Sequence, residues 1–254
     1  MNLGDLLSEL RVNILNDRSD RTAGASDYLW TDATLVRYIN EAQRRFARRA
    51  LVIRDGTSDA TKITLVAGQA EYPLDQAFLG ILSAKIVGDT ADLIRAGHAA
   101  FDTYRVPDSY FFDTSQLSTL PPGKPVAWST DEYLSEDDHG SAAAMTLRVY
   151  PVPDVAHAGA VIQLRVVRLP YDDLVPANLQ AIPEIPPDHH IEMLDWAAYL
   201  ALRIVDQDAG NANLSDKFRA SFEGHVQLAR DSVMRKLFAP QQWGFGRNGF
   251  TWEP

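Results

Sequence analysis

Residues 30–54 read WTDATLVRYINEAQRRFARRALVIR. Leu35, Ile39, Ala42, Phe46 and Ala50 recur every three or four positions, the spacing of one buried stripe on an α-helix. Thr31 or Asp32 stands where a side chain can accept a backbone N–H as N-cap. Arg37, Arg44, Arg45, Arg48 and Arg49 fall largely off the stripe. Several of them sit in the last turns, where cations suit the helix dipole. Beyond Gly56 the helical period gives way to alternation, and it returns only near residue 188. That change and return decide the fold.

On the C-terminal side of this helix, KITLVAGQAEYPL (62–74) alternates and breaks at a glycine turn, and ILSAKIV (81–87) is a compact, mostly apolar run. MTLRVYPVP (145–153) and AVIQLRVVRLPY (160–171) alternate over longer stretches bounded by prolines. These read as strands of an antiparallel sheet. GHAAFDTYR (97–105) reads as a short helix, and SEDDHGSA (135–142) as an exposed loop. The helical period resumes in IPEIPPDHHIEMLDWAAYLALRIVDQD (182–208), after prolines suited to a helix start. Asp188 is the expected N-cap. Ile191, Leu194, Ala198, Ala201 or Leu202, and Val205 form the expected face of a helix about 27 Å long. LSDKFRASFEGHVQLARDSVMRKLF (214–238) predicts a last helix with Phe218, Phe222, Val226, Ala229 and Val233 inward. On the N-terminal side, Leu3, Leu6, Leu7, Leu10 and Ile14 predict a short amphipathic helix before a polar loop.

The expected class is therefore α+β. Residues 1–55 and 184–238 form a discontinuous helical bundle, 56–183 an inserted antiparallel β-rich domain, and 239–254 an extended C-terminal tail.

The chain has 254 residues, 46% hydrophobic and 23% charged, enough to bury a core. It has no cysteine, which rules out disulfides and thiolate metal sites. The first residues lack the basic start and apolar run of a signal peptide, and no stretch is long and apolar enough to span a membrane. The expected product is soluble and made in the cytoplasm. The net charge of −10 speaks against a surface that wraps nucleic-acid phosphates, but suits a wall that DNA slides past.

No motif asks for catalysis. His189 and Glu192 share a helical face, but zinc needs at least a third protein ligand and no other histidine comes in a motif. DQDAGNAN (206–213) looks carboxylate-rich, yet the calcium-loop template places Gly210 and Asn211 wrongly and Lys217 where glutamate belongs. GFGRNG (244–249) has dinucleotide-loop spacing without a strand before it or a helix after it. Neither an enzyme, a cofactor nor a metal is expected.

Two surfaces stand out. Arg44, Arg45, Arg48 and Arg49 form either a solvated face or an inter-subunit face, since guanidinium groups pair bidentately with carboxylates and this chain has carboxylates in excess. The tail FAPQQWGFGRNGFTWEP (238–254) carries Trp243, Phe245, Phe250 and Trp252 between glycines, with Arg247 among them. Each aromatic buries about 150–250 Å² in a suitable pocket. Either the tail folds back on its own core, or it docks in a groove of another protein, where many copies in a ring would multiply a modest affinity.

WTDATLVRYINEAQRRFARRA, VAGQAEYPLD, LRVYPVPD, the Arg-Leu-Pro at 168–170, the helix region 182–208 and FRASFEGHVQLAR, in this order and spacing, resemble the head-to-tail adaptor (connector) proteins of tailed bacteriophages. Residues 88–145 match least. The resemblance implies a structural, non-enzymatic protein of the virion neck. It implies a dodecameric ring beneath the phage portal protein that extends the channel for double-stranded DNA and offers a platform to tail or nozzle proteins. Trp243, Phe245, Arg247, Phe250 and Trp252 would dock on the portal. The alternative is a carbohydrate-binding or hydrolytic tail component, with Tyr104, Tyr110, Trp128 and Tyr133 as a sugar-stacking surface. A DNA-binding terminase-like subunit is disfavoured by the acidic balance.

Overall fold

The computed structural model describes residues 1–17, 28–96, 121–131, 145–203 and 212–237. The chain divides into two compact units, one of residues 1–53 with 172–254 and one of residues 54–171. The helical unit thus takes in 172–183, which the sequence pattern groups with the strands. The coarse class is α+β, as expected.

In the helical unit, α1 (Leu3–Ser8) starts in a reciprocal cap: Asn2 Oδ1 accepts the Asp5 N–H at 2.9 Å, and Asp5 accepts that of Asn2 at 3.1 Å. The chain then winds wider, as a π-helix over Glu9–Ile14. Its Arg11 is buried against Asp17 (3.4 Å) and Asp32 (2.5 Å) and stacks on Tyr28 at 3.8 Å. Asp17 also accepts the Leu29 N–H at 2.9 Å, so one carboxylate ties the first helix to the start of the second.

Helix α2 (Asp32–Ala50) is capped by Thr31 Oγ1, which accepts the Thr34 N–H at 3.2 Å. It ends where Leu51 turns left-handed at φ 57° and returns its N–H to Ala47. The whole expected stripe, Leu35, Ile39, Ala42, Phe46 and Ala50, is fully buried. The Phe46 ring lies 5.8 Å from Phe222 and 5.2 Å from His189, so residues far apart in sequence meet on it. Two amides on α2 hold the irregular strap 172–186. Asn40 Nδ2 donates to the Leu174 carbonyl (2.8 Å) while its Oδ1 accepts the Leu174 N–H (2.9 Å). The buried Gln43 accepts the Glu184 N–H at 3.1 Å. The strap in turn receives the N–H groups of Leu3 and Gly4 on the carbonyls of Ala181 and Leu179.

Helix α3 (Leu194–Leu202) begins later than expected, and Asp188 is not its cap. Pro187–His189 forms a 3-10 turn, and Ile191, assigned to the buried face, is 56% exposed. The reason is His190. Its Nε2–H donates to the Ile185 carbonyl (2.8 Å), drawing the ring into the core and tightening the chain. The Nδ1 faces the Met1 amino group at 3.1 Å. A carbonyl can only accept and an ammonium can only donate, so the imidazole is held neutral. Leu194, Trp196, Ala197, Ala198, Ala201 and Leu202 are all buried, so α3 is apolar nearly all round rather than along one stripe. Helix α4 (Ala212–Leu237) buries Phe222, Val226, Ala229 and Val233 as expected. Val205 lies outside the described residues.

The second unit has two four-stranded sheets, where the alternation suggested one. In the first, β8 (Val161–Arg168) is central. β4 (Phe78–Ile86) runs along one side, and β1 (Arg54–Asp55) and β2 (Lys62–Thr64) share the other, all antiparallel to it. In the second, β3 (Glu71–Pro73), β7 (Thr146–Tyr150), β6 (Ala127–Asp131) and β5 (Ile94–Arg95) lie in that order. The β5–β6 pair is parallel, against the expected antiparallel pattern. Ile81, Ala84, Ile162, Leu164 and Val166 of one sheet share a core with Tyr72, Trp128, Leu147 and Val149 of the other, so two sheets face each other across one apolar layer.

Two outcomes are expected. Phe46→Ala leaves a cavity where three segments meet and lowers unfolding free energy by about 3–5 kcal/mol, whereas Asn40→Ala costs about 1–3 kcal/mol; urea denaturation measures both. Burial lowers the His190 pKa below its ordinary 6.5. The unfolded chain therefore takes up a proton first as pH falls, and stability present above about pH 6.5 is lost below it. His190→Gln flattens the decline of melting temperature between about pH 7 and about pH 5.5, and an unchanged decline would reject this assignment.

Candidate assembly surfaces

The arginine face is placed by α2. Once Leu35, Ile39 and Phe46 point inward, positions 41, 44 and 48 point to the opposite side and 45 and 49 to its flank. Glu41, Arg44, Arg45, Arg48 and Arg49 line an open cavity of about 390 Å³. Three of the four expected inter-subunit arginines have partners within the chain. Arg44 pairs with Asp173 of the strap at 2.9 Å. Arg49 pairs with Glu223 of α4. Arg45 lies 3.8 Å over the Trp196 ring, its Nε buried without a hydrogen bond. Arg48 is exposed and makes no ion pair among the described residues.

The strap was not singled out in the sequence, although its signal is there. From Leu169 to Leu202 no lysine or arginine occurs, while Asp172, Asp173, Glu184, Asp188, Glu192 and Asp195 do. The amides that hold it, Asn40 and Gln43, gave no pattern to read. One is half-buried and the other lies among the apolar residues of the stripe.

The histidines of 189–192 do gain a companion from α4. Glu192 lies 2.6 Å from His189 Nδ1 and 3.6 Å from His225 Nδ1, and His225 Nε2 lies 3.5 Å from Asp195. Burial raises the Asp195 pKa, opposed by a hydrogen bond with Ser221 and by the charge of His225. This chain of imidazoles and carboxylates ties α4 to α3 and its approach. No group of three or more such side chains among the described residues is arranged to hold a metal ion.

In the β unit, Asp55 is the most perturbed carboxylate. Burial works against its ionisation, but the Thr57 and Ser58 N–H groups (3.0 and 3.1 Å) and Arg168 Nε (2.9 Å) outweigh it. They hold the carboxyl well below the usual range. Arg168 also stacks on Tyr171 at 3.9 Å. The arrangement fastens β1 to β8 and presents no nucleophile. Trp128, expected in a sugar-stacking surface, is buried in the core and shows no face to a ligand. Tyr104, Tyr110 and Tyr133 lie outside the described residues, as do residues 97–105 and 135–142, most of the 206–213 loop, and all five tail residues Trp243, Phe245, Arg247, Phe250 and Trp252. No described helix is long and apolar enough to cross a membrane.

No curated protein matches the chain. A family model described as SU10 adaptor protein matches residues 1–241, nearly its whole length. The chain with this helical unit, its bordering arginine face and its inserted pair of sheets belongs to the SU10 adaptor protein family, a family of phage head-to-tail adaptors.

Proposed function

We propose that this protein is the structural adaptor at the neck of a tailed phage. Copies assemble as a ring, a dodecamer, beneath the portal protein. The ring extends the channel through which double-stranded DNA passes, and offers the surface to which tail or nozzle proteins attach. The observation that carries this reading is the family match over residues 1–241. The net charge of −10 supports it further, because a channel wall must let a polyanion pass without sequence-specific binding. In this reading Arg44, Arg45, Arg48 and Arg49 contribute to contacts between copies. Trp243, Phe245, Arg247, Phe250 and Trp252 anchor each copy to the portal, where burial of aromatic area supplies affinity and the number of copies multiplies it. No catalytic step is assigned to any residue.

Co-sedimentation with the portal ring of the same phage tests this. The intact chain is expected to pellet with the portal at ring stoichiometry. A chain truncated after Phe238 is expected to lose at least about tenfold in apparent affinity. Equal binding of both would move the portal contact from the tail to the helical unit, and binding of neither would reject the portal-adaptor role.

A further inference from the structure

The helical unit carries two complementary surfaces. One is the arginine face, where five arginines on α2 stand against Asp32 and Glu41 as the only acids of that helix. The other is the strap, which has no lysine or arginine. Val175, Leu179 and Ile182 on the strap are 51%, 46% and 66% exposed. These are large apolar side chains on a segment pinned by its hydrogen bonds to α2 and α1, and this clustering differs from the usual scatter of single exposed residues. Asp172 on the strap and Asp188 just after it are exposed, and neither carboxylate makes an ion pair among the described residues. Arg48 likewise makes no ion pair among the described residues.

The two surfaces meet at one edge, where Asp173 of the strap pairs with Arg44. At about 100° per residue, Asn40 and Gln43, which hold the strap at Leu174 and Glu184, project about 80° and 140° away from Arg48 around the helix. Held there, the strap of a chain makes no ion pair with that chain's own Arg48 among the described residues. Two different, complementary patches on one chain are what a head-to-tail contact between identical copies requires, and such contacts close into a ring when the rotation permits.

We propose that the strap of one copy docks on the arginine face of the next. Asp172 and Asp188 lie against Arg48 and its neighbours, and Leu179 and Ile182 cover the apolar stems of the arginines. The occupant is a second copy of this chain, on the grounds of charge complementarity. The inference rests on the ring reading and gives it an interface.

Sedimentation velocity of the full chain, alone and with the portal ring added, tests it. Arg48→Glu, Asp172→Lys with Asp188→Lys, and Ile182→Asp are each expected to lower the apparent association constant at least about tenfold, with unchanged circular dichroism. An equimolar mixture of the arginine variant and the double lysine variant is expected to recover assembly, because alternating copies then match at every contact. Wild-type assembly with all variants assembling equally well would overturn this interface and leave the ring standing. Losses without recovery in the mixture would also overturn the pairing. A wild-type chain that stays monomeric both alone and with the portal would remove the ring and the interface together.

Discussion

Phe46 is the contact on which the helical unit depends. The first segment of that unit ends at residue 53, and the remainder begins at residue 172, after the whole β unit has intervened. Closing so long a span costs entropy before any packing rewards it, although the cost grows only slowly with length. The reward is concentrated on one ring, which meets His189 and Phe222 from segments on the far side of the insertion. Trp196 joins Phe222 at 5.1 Å, and Arg45 closes over Trp196 from α2. The aromatic set is thus continuous with the arginine face.

What was legible in the sequence follows from which elements obey one simple period. Helix α2 has a buried stripe at regular spacing and two adjacent cap candidates, of which Thr31 is the cap, so the stripe could be assigned inward residue by residue. Helix α3 could not be read this way. It is buried nearly all round, so it lacks a stripe, and its start is displaced by a buried histidine whose hydrogen bond to Ile185 no periodicity encodes. In the β unit the alternation located β7 and β8. It could not separate two sheets, because both contribute inward faces to one core and pattern reports only inward against outward. Strands of two residues such as β1 and β5 carry too few positions to show a period at all.

The arginine face was legible as a cluster but not as a set of separate roles. Spacing put four arginines together. It did not tell that Asp173 and Glu223, both more than a hundred positions away, would return to two of them, or that Trp196 would take a third. Exposed ion pairs of this kind contribute little to stability, about 0–1 kcal/mol each. They leave a dense cationic patch partly neutralised within the chain. The strap was missed for the opposite reason. It is defined by what it lacks, and an absence of cations draws the eye less than a run of arginines.

Weak internal pairing also bears on how copies of this chain would join. In the proposed ring, a carboxylate arriving at Arg44 or Arg49 competes with one already there, whereas Arg48 has no ion pair among the described residues to displace. A single contact between two copies therefore gains little, since part of its electrostatic attraction replaces pairs that existed before. A closed ring differs, because each copy then uses both of its faces and the last contact forms with no further loss of translational freedom. A surface whose charges are mostly matched at home favours the closed assembly over chance dimers. That selectivity suits the proposed ring, in which every copy meets two others.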